Sequence, residues 1–301
     1  MRKTNIPITA LPGPDKSPSS WNIIWREIVR DKLAFASLIF LSLVILSVYG
    51  ISLVLNQEQI VTVDLFALKQ PPSAEYWLGT DYGGRDVFGQ LIIGTRNSLS
   101  IAFIVTAFTG VIGVFIGLIS GYFGGTVDNI FMRFVDFFMI LPTLMIVIAF
   151  VTAVPKYNIW SFSLIMTAFL WMGIARLIRS KALQEKELDY VQASKTLGSS
   201  NFKIMMVQVL PNLSSIIIVT MTLNLAANIG LESGLSFLGF GFPESMPSLG
   251  TLVSYARDPQ TLEIRWWIWL PASILILVLM LSINNVGQAL KRATDARQRK
   301  G

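Results

Sequence analysis

Six apolar runs, each about as long as a helix needs to cross roughly 30 Å of hydrocarbon, fix what this chain can become. They lie at 33–55, 98–120, 130–153, 159–178, 209–231 and 266–288. The expected fold is therefore an all-α integral membrane protein with six transmembrane helices. A water-soluble alternative is hard to sustain when 53% of residues are hydrophobic, 14% are charged and the mean hydropathy is +0.60. The first run reads as a retained span. It is too long for the apolar core of a signal peptide, follows a mostly polar stretch, and lacks a small-residue cleavage site.

Orientation follows from the basic residues. With the N-terminus inside, eighteen of the 24 Lys and Arg fall on the inner side and six on the outer, while the 18 acids divide nine and nine. The net charge of +6 is thus a topology signal, and nucleic acid is not needed to explain it. N-in, C-in is expected. It makes 1–32 a cytoplasmic tail with an amphipathic interfacial helix, 56–97 an extracytoplasmic loop and 98–288 a five-helix core. The remaining 289–301 is a cytoplasmic tail. Trp21 and Trp25 beside Arg26, Arg30 and Lys32 mark the interfacial helix, and Trp266, Trp267 and Trp269 read as an aromatic belt at the outer boundary.

Several chemistries are absent. The chain has no Cys and no His, which removes thiolate and imidazole ligands, disulfides and His-based acid–base work. No metal site and no catalytic residue is expected. No G-x-x-x-x-G-K-[ST] occurs, so a P-loop for nucleotide phosphates is missing.

The densest information lies between the fourth and fifth runs. In YVQASKTLGSSNFKIMMVQVLPN, Leu188 to Leu197 carries apolar residues at helical spacing, and Gly198 stands where a helix takes a left-handed end. Ser199, Ser200 and Asn201 can cap a second helix. The stretch resembles the Glu-Ala-Ala coupling loop of ABC importer permeases. Ala193, Gly198, Leu210 and Pro211 fall in register, while Gln192, Ser194 and Gln208 depart from it. The resemblance makes 188–211 a cytoplasmic coupling elbow in a type I ABC importer permease fold. Leu188, Tyr190, Val191, Ala193, Ser194, Leu197 and Gly198 are the expected ATPase contacts.

Further segments narrow the resemblance. LGTDYGGRD (Leu78–Asp86), GTRNSL (Gly94–Leu99), GYFGGTVDNIFMRFVD (Gly121–Asp136), ARLIRS (Ala175–Ser180) and ESGLSFLGFG (Glu232–Gly241) are similar to the peptide/nickel subgroup. The match points to the C-type permease of an oligopeptide or dipeptide importer. It implies a second, B-type permease, two P-loop ATPase subunits carrying ATP and Mg, an extracytoplasmic substrate-binding protein and a peptide substrate. It places the chain in a prokaryotic cytoplasmic membrane, with no cofactor of its own. A nickel or other small-solute importer is the nearer alternative. An ATP-independent transporter or channel is the alternative of another class, and it would be expected to show inverted repeats or midplane charges.

The remaining polar residues admit two readings each. Asp81, Arg85 and Asp86 form a capped turn, or an outer docking or gating surface. Asn224, Asn228 and Glu232 share one helix face, which suits either a path lining or interhelical hydrogen bonds. Arg133 and Asp136 are spaced to pair on the third span, and Pro142 is expected to kink it. Gly113, Gly117 and Gly121 leave a stripe for close helix approach.

Overall fold

The computed structural model describes residues 20–154, 158–243 and 245–298, so the expected tails at 1–19 and 299–301 lie outside the described residues. Its helices are α1 (Ser20–Arg30), α2 (Lys32–Ser52), α3 (Gln57–Val61), α4 (Val87–Phe123), α5 (Gly125–Ile140), α6 (Thr143–Ala153) and α7 (Ile159–Glu185). There follow α8 (Asp189–Thr196), α9 (Asn201–Ile204), a π-helical turn (Met205–Val209), α10 (Leu210–Phe237), α11 (Leu249–Ser254), α12 (Pro259–Ile264) and α13 (Trp266–Gln298). Among the described residues there is no β-strand, and one isolated antiparallel bridge joins Thr80 to Asp86. Among the described residues, five helices are long and apolar enough to cross a membrane, and six crossings result if α5 and α6 count as one bent span. Both ends of the described chain lie with α8 and α9 at one end of the bundle, the elbow end. The segments 53–86 and 238–265 cover the other, the loop end.

Local chemistry explains where the helices depart from the apolar runs. α4 starts well before its lipid-length run because Asp86 caps it, accepting from the backbone N–H of Phe88 at 3.2 Å and Gly89 at 2.9 Å. At 37 residues it is about 55 Å long, so its first turns stand inside the loop-end layer. α13 likewise carries helical structure through 289–298, where a tail was expected. Its Arg292 pairs with Asp31, which also caps α2 by accepting from Leu33 at 3.0 Å and Ala34 at 3.2 Å. This one carboxylate fastens the start of the bundle to its finish.

The third span is broken, which goes beyond the expected kink. α5 and α6 meet at 84° across Leu141 and Pro142. The proline ring pushes the residue before it out of the helical region, and Leu141 is extended at φ −81°, ψ 140°. A different device handles Pro211. Its missing N–H falls in the first turn of α10, and the preceding backbone widens into a π turn in which Leu210 N–H bonds to Met205 O. The chain passes from α9 into α10 without a gap.

Two helices dominate the packing. α4 lies along α7 at backbone distance because Gly113, Gly117 and Gly121 have no side chain to hold them apart. A Cβ on Gly117 would stand 2.5 Å from the carbonyl oxygen of Ala175, and one on Gly121 2.7 Å from the Cβ of Ala182. At the loop end, Trp267 is buried rather than facing lipid, with its indole N–H aimed at Thr80 O at 3.4 Å. Trp266 alone of that pair is exposed, so the expected belt is only partly a belt.

Gly117→Leu should therefore separate α4 from α7. Overpacking of this kind costs about 1–3 kcal/mol. The expected result is a melting midpoint several degrees lower in detergent, followed by size-exclusion after heating. Gly50→Ala on α2, where an added Cβ meets nothing within 4 Å, should leave the midpoint unchanged or raise it.

Candidate functional site

The elbow is two short helices folded back on the bundle. α8 ends at Gly198, whose φ of +80° is the left-handed conformation that a β-carbon disfavours. Ser200 then caps α9, its hydroxyl accepting from Lys203 N–H. Val191 is the anchor. It is buried in a cluster with Ile204, Met205, Val209 and Leu213 from the following turns, Ile178 and Ala182 from α7, and Leu118 and Tyr122 from α4. Val191 therefore leaves the set of expected partner contacts, because its side chain is spent on the bundle. Leu188, Tyr190, Ala193, Leu197 and Gly198 are exposed, and Leu197 is the most prominent at 86%.

Polar bonds fix the elbow's angle. Tyr190 donates to Glu185 and accepts from Asn212 Nδ2 at 2.7 Å, which joins α7, α8 and α10. Burial, with the Glu185 carboxylate second, pushes the Tyr190 phenol up to about 12. The stability this neutral, donating form contributes is therefore fully present below its ordinary value of 10 and is lost as pH rises through about 12. Two of the three residues that break the family pattern bond to each other, Gln208 Nε2 donating to Ser194 Oγ at 2.7 Å. The third, Gln192, donates to Lys186 O at 2.8 Å. Tyr122 at the end of α4 donates to Asn201 at 3.1 Å.

The polar stripe on α10 is turned inward. Asn228 donates to Thr106 Oγ1 on α4 at 2.9 Å. Glu232 is fully buried and accepts from Ser98 Oγ at 2.8 Å and Ser236 Oγ at 2.9 Å. Ser98 in turn accepts from Leu249 N–H at 3.0 Å, so the carboxylate indirectly pins α11 onto α4 and α10. Asn224 is half-buried. Of the two readings of this stripe, the geometry selects interhelical bonding for Asn228 and Glu232. Both side chains are buried within this chain.

The outer acidic turn is likewise internal. Asp81 is fully buried. Its Oδ1 accepts from the N–H groups of Gly83 at 2.8 Å and Arg85 at 3.0 Å, and its Oδ2 from Arg85 Nε at 2.8 Å and Gln90 Nε2 at 2.9 Å. Arg85 also reaches Tyr255 at 2.9 Å, and Asp86 is occupied as the α4 cap. A docking or gating surface made of Asp81, Arg85 and Asp86 is thus replaced by a buried ion pair that holds the loop-end layer together. Beside it, Asp258 accepts from Tyr82 OH and Thr261. These bonds, Tyr82 first, hold its carboxyl below the usual range.

A second cluster escaped the sequence reading, which paired Arg133 with Asp136. Asp136 instead pairs with Arg176 on α7, and Asp128 pairs with Arg179 while accepting from Ser120 on α4. With Arg133, these groups line a cleft of about 410 Å³ between α5 and α7. Spacing within one helix could not reveal pairs made between helices. Among the described residues, no group of three or more Asp or Glu is arranged to hold a metal.

Comparison with known proteins decides the family. Residues 113–300 match the model of the binding-protein-dependent transport system inner membrane component. The oligopeptide transport system permease protein OppC of Lactococcus lactis subsp. cremoris is 50% identical over 276 residues, covering 91% of this chain and 94% of that one. The dipeptide transport system permease protein DppC of Bacillus subtilis is 37% identical over 278 residues, 92% of this chain and 85% of that one. The Bacillus subtilis OppC protein is 35% identical over 285 residues, 95% and 92%. The chain belongs to the binding-protein-dependent transport permease family. This permease is a non-catalytic, multi-pass subunit of the prokaryotic cytoplasmic membrane. The matched region contains the elbow, α10 and the α5–α7 cleft.

Gly198→Val in the permease should deform the elbow through backbone strain alone, since an added Cβ at Gly198 meets nothing within 4 Å. The cost is about 1–2 kcal/mol. Limited proteolysis should show faster cutting between 185 and 201, with Gly198→Asn much closer to the parent because Asn tolerates the left-handed region.

Proposed function

We propose that this permease forms half of the translocation path of an ATP-driven peptide importer. A second, B-type permease completes the path, and two P-loop ATPase subunits bind ATP and Mg at the elbow end. A substrate-binding protein delivers peptide at the loop end. The names of the relatives, oligopeptide and dipeptide transport permeases, support the substrate class.

The observation that carries the reading is the division of labour within the elbow. Val191 roots α8 in the bundle, whereas Leu197, the residue that closes that short helix, is almost fully exposed. Leu188 and Phe202 of the same elbow are also exposed. A large apolar side chain gains about 1.5–3 kcal/mol when fully buried. This tip is a suitable knob for a groove on an ATPase, with the small Ala193 and Gly198 allowing close approach. Closure of the ATPases would pull on the tip, and the Val191 cluster would pass that pull to α4, α7 and α10. The bundle then turns as a rigid body and exchanges access from one side to the other.

Leu197→Asp is expected to lower peptide-stimulated ATPase and uptake at least tenfold in proteoliposomes containing the complete importer. The melting midpoint of the isolated permease should stay within about a degree, since Leu197 supports no internal packing. Co-purification from gently solubilised membranes should recover both ATPases with the parent chain and less with this variant. Full coupling in Leu197→Asp would overturn the assignment of the elbow tip.

A further inference from the structure

Two of the sequence motifs meet in the α5–α7 cleft, and the resulting charge balance is uneven. GYFGGTVDNIFMRFVD contributes Asp128, Arg133 and Asp136, and ARLIRS contributes Arg176 and Arg179. Each aspartate is taken by one arginine, Asp128 by Arg179 and Asp136 by Arg176. Arg133 lines the same cleft and has no ion-pair partner among the described residues, which leaves one cation over.

The position of the cleft makes that surplus informative. Arg133 and Asp136 stand about 12 Å and about 16 Å along α5 from its start at Gly125, within the helix pair that together forms one bent apolar span. The side chains of Asp136 and Arg176 are nevertheless 60% and 48% exposed in the isolated chain. Half-exposed charges at that depth are costly against lipid, so they face a water-filled cavity or protein. This face of α5 and α7 is therefore open to water or to a second protein, whereas the Asn228 and Glu232 side chains of α10 are covered by this chain.

One helical turn toward the loop end, the same two helices form a separate apolar pocket of about 200 Å³. Phe138 and Met139 of α5 and Met172 of α7 line it, with Thr143 of α6 beyond the bend. Methionines adapt their shape to different side chains. A cation beside an adaptable apolar pocket suits a ligand that carries a carboxylate next to a variable side chain.

Resting on the peptide-importer reading, we propose that the Arg133 cleft is a binding station for the C-terminal carboxylate of the translocating peptide. The guanidinium of Arg133 receives the carboxylate, and the Met139–Met172 pocket receives the terminal side chain. Asp136 and Asp128 hold Arg176 and Arg179 in place and keep the site at a single net positive charge. One surplus cation in a wet cleft holds a carboxylate weakly enough to release it, as passage requires.

The test uses the complete importer in proteoliposomes and a pentapeptide of alanine and phenylalanine, as free acid and as C-terminal amide. The peptide is chosen so that the isolated binding protein binds both forms within threefold. Arg133→Gln should lower the acid-to-amide uptake ratio at least tenfold, with Arg133→Lys intermediate. An unchanged ratio, whether or not both rates fall, overturns the proposal and assigns Arg133 to packing or to the second permease. Because the permease contains no cysteine, Arg133→Cys gives a second route should Arg133→Gln fail to assemble. An aminoethyl thiol adduct should recover the ratio at least threefold, and a neutral methyl adduct should not. Recovery by both adducts, or by neither, overturns it. If the parent importer takes up neither peptide, the peptide reading itself falls, and this proposal with it.

Discussion

The contact on which the rest of the permease depends is the approach of α4 to α7. The glycines at 113, 117 and 121 let two backbones lie where side chains would ordinarily keep them apart. In lipid, association of helices gains little from apolarity alone, so such close contact supplies the van der Waals energy that holds them. That approach carries Ser120 of α4 to Asp128 and Arg179, and it brings Leu118 and Tyr122 over the elbow's anchor. The charged cleft, the root of the elbow and the elbow end of α5 all assemble around that seam.

A second theme is how the chain uses its buried polarity. Asp81 with Arg85, Glu232 with Ser98 and Ser236, and Asn228 with Thr106 are satisfied inside the protein. Glu232 with Ser98 and Asn228 with Thr106 join elements distant in sequence, as Arg85 does through Tyr255, and an unsatisfied group in any of them would be expensive away from water. The α5–α7 charges differ because they remain partly open. Exposure, rather than charge itself, separates a structural ion pair from a group available to a passing solute.

Much of this was legible in the residues. The lengths of the apolar runs give the number of crossings, and Gly198 with Ser200 marks the break and the cap of the elbow because both act on their own backbone. The proline at 142 announces an interruption, although its 84° angle depends on how α6 packs against α7. What could not be read were choices made across helices. Arg133 and Asp136 have ideal spacing for each other, yet Asp136 finds Arg176. Val191 looks like a contact residue until the turn at Gly198 folds it under Ile204 and Met205. Asp81 and Arg85 look like surface until Gln90 and Tyr255 close over them. Each error has one cause: local periodicity says which face a residue shares, not what covers that face.

The π turn between α9 and α10 has a mechanical consequence. Residues 201–237 run as one helical rod of 37 residues, about 55 Å long, with its near end in the elbow and Glu232 close to its far end. Its one change of helical type among the described residues is the wide turn of five residues, Met205–Val209. The Val209 and Leu213 anchor lies between the elbow and the serine-held carboxylate that is linked to α11. The elbow end and the loop end of the bundle are in this way joined by a single length of backbone.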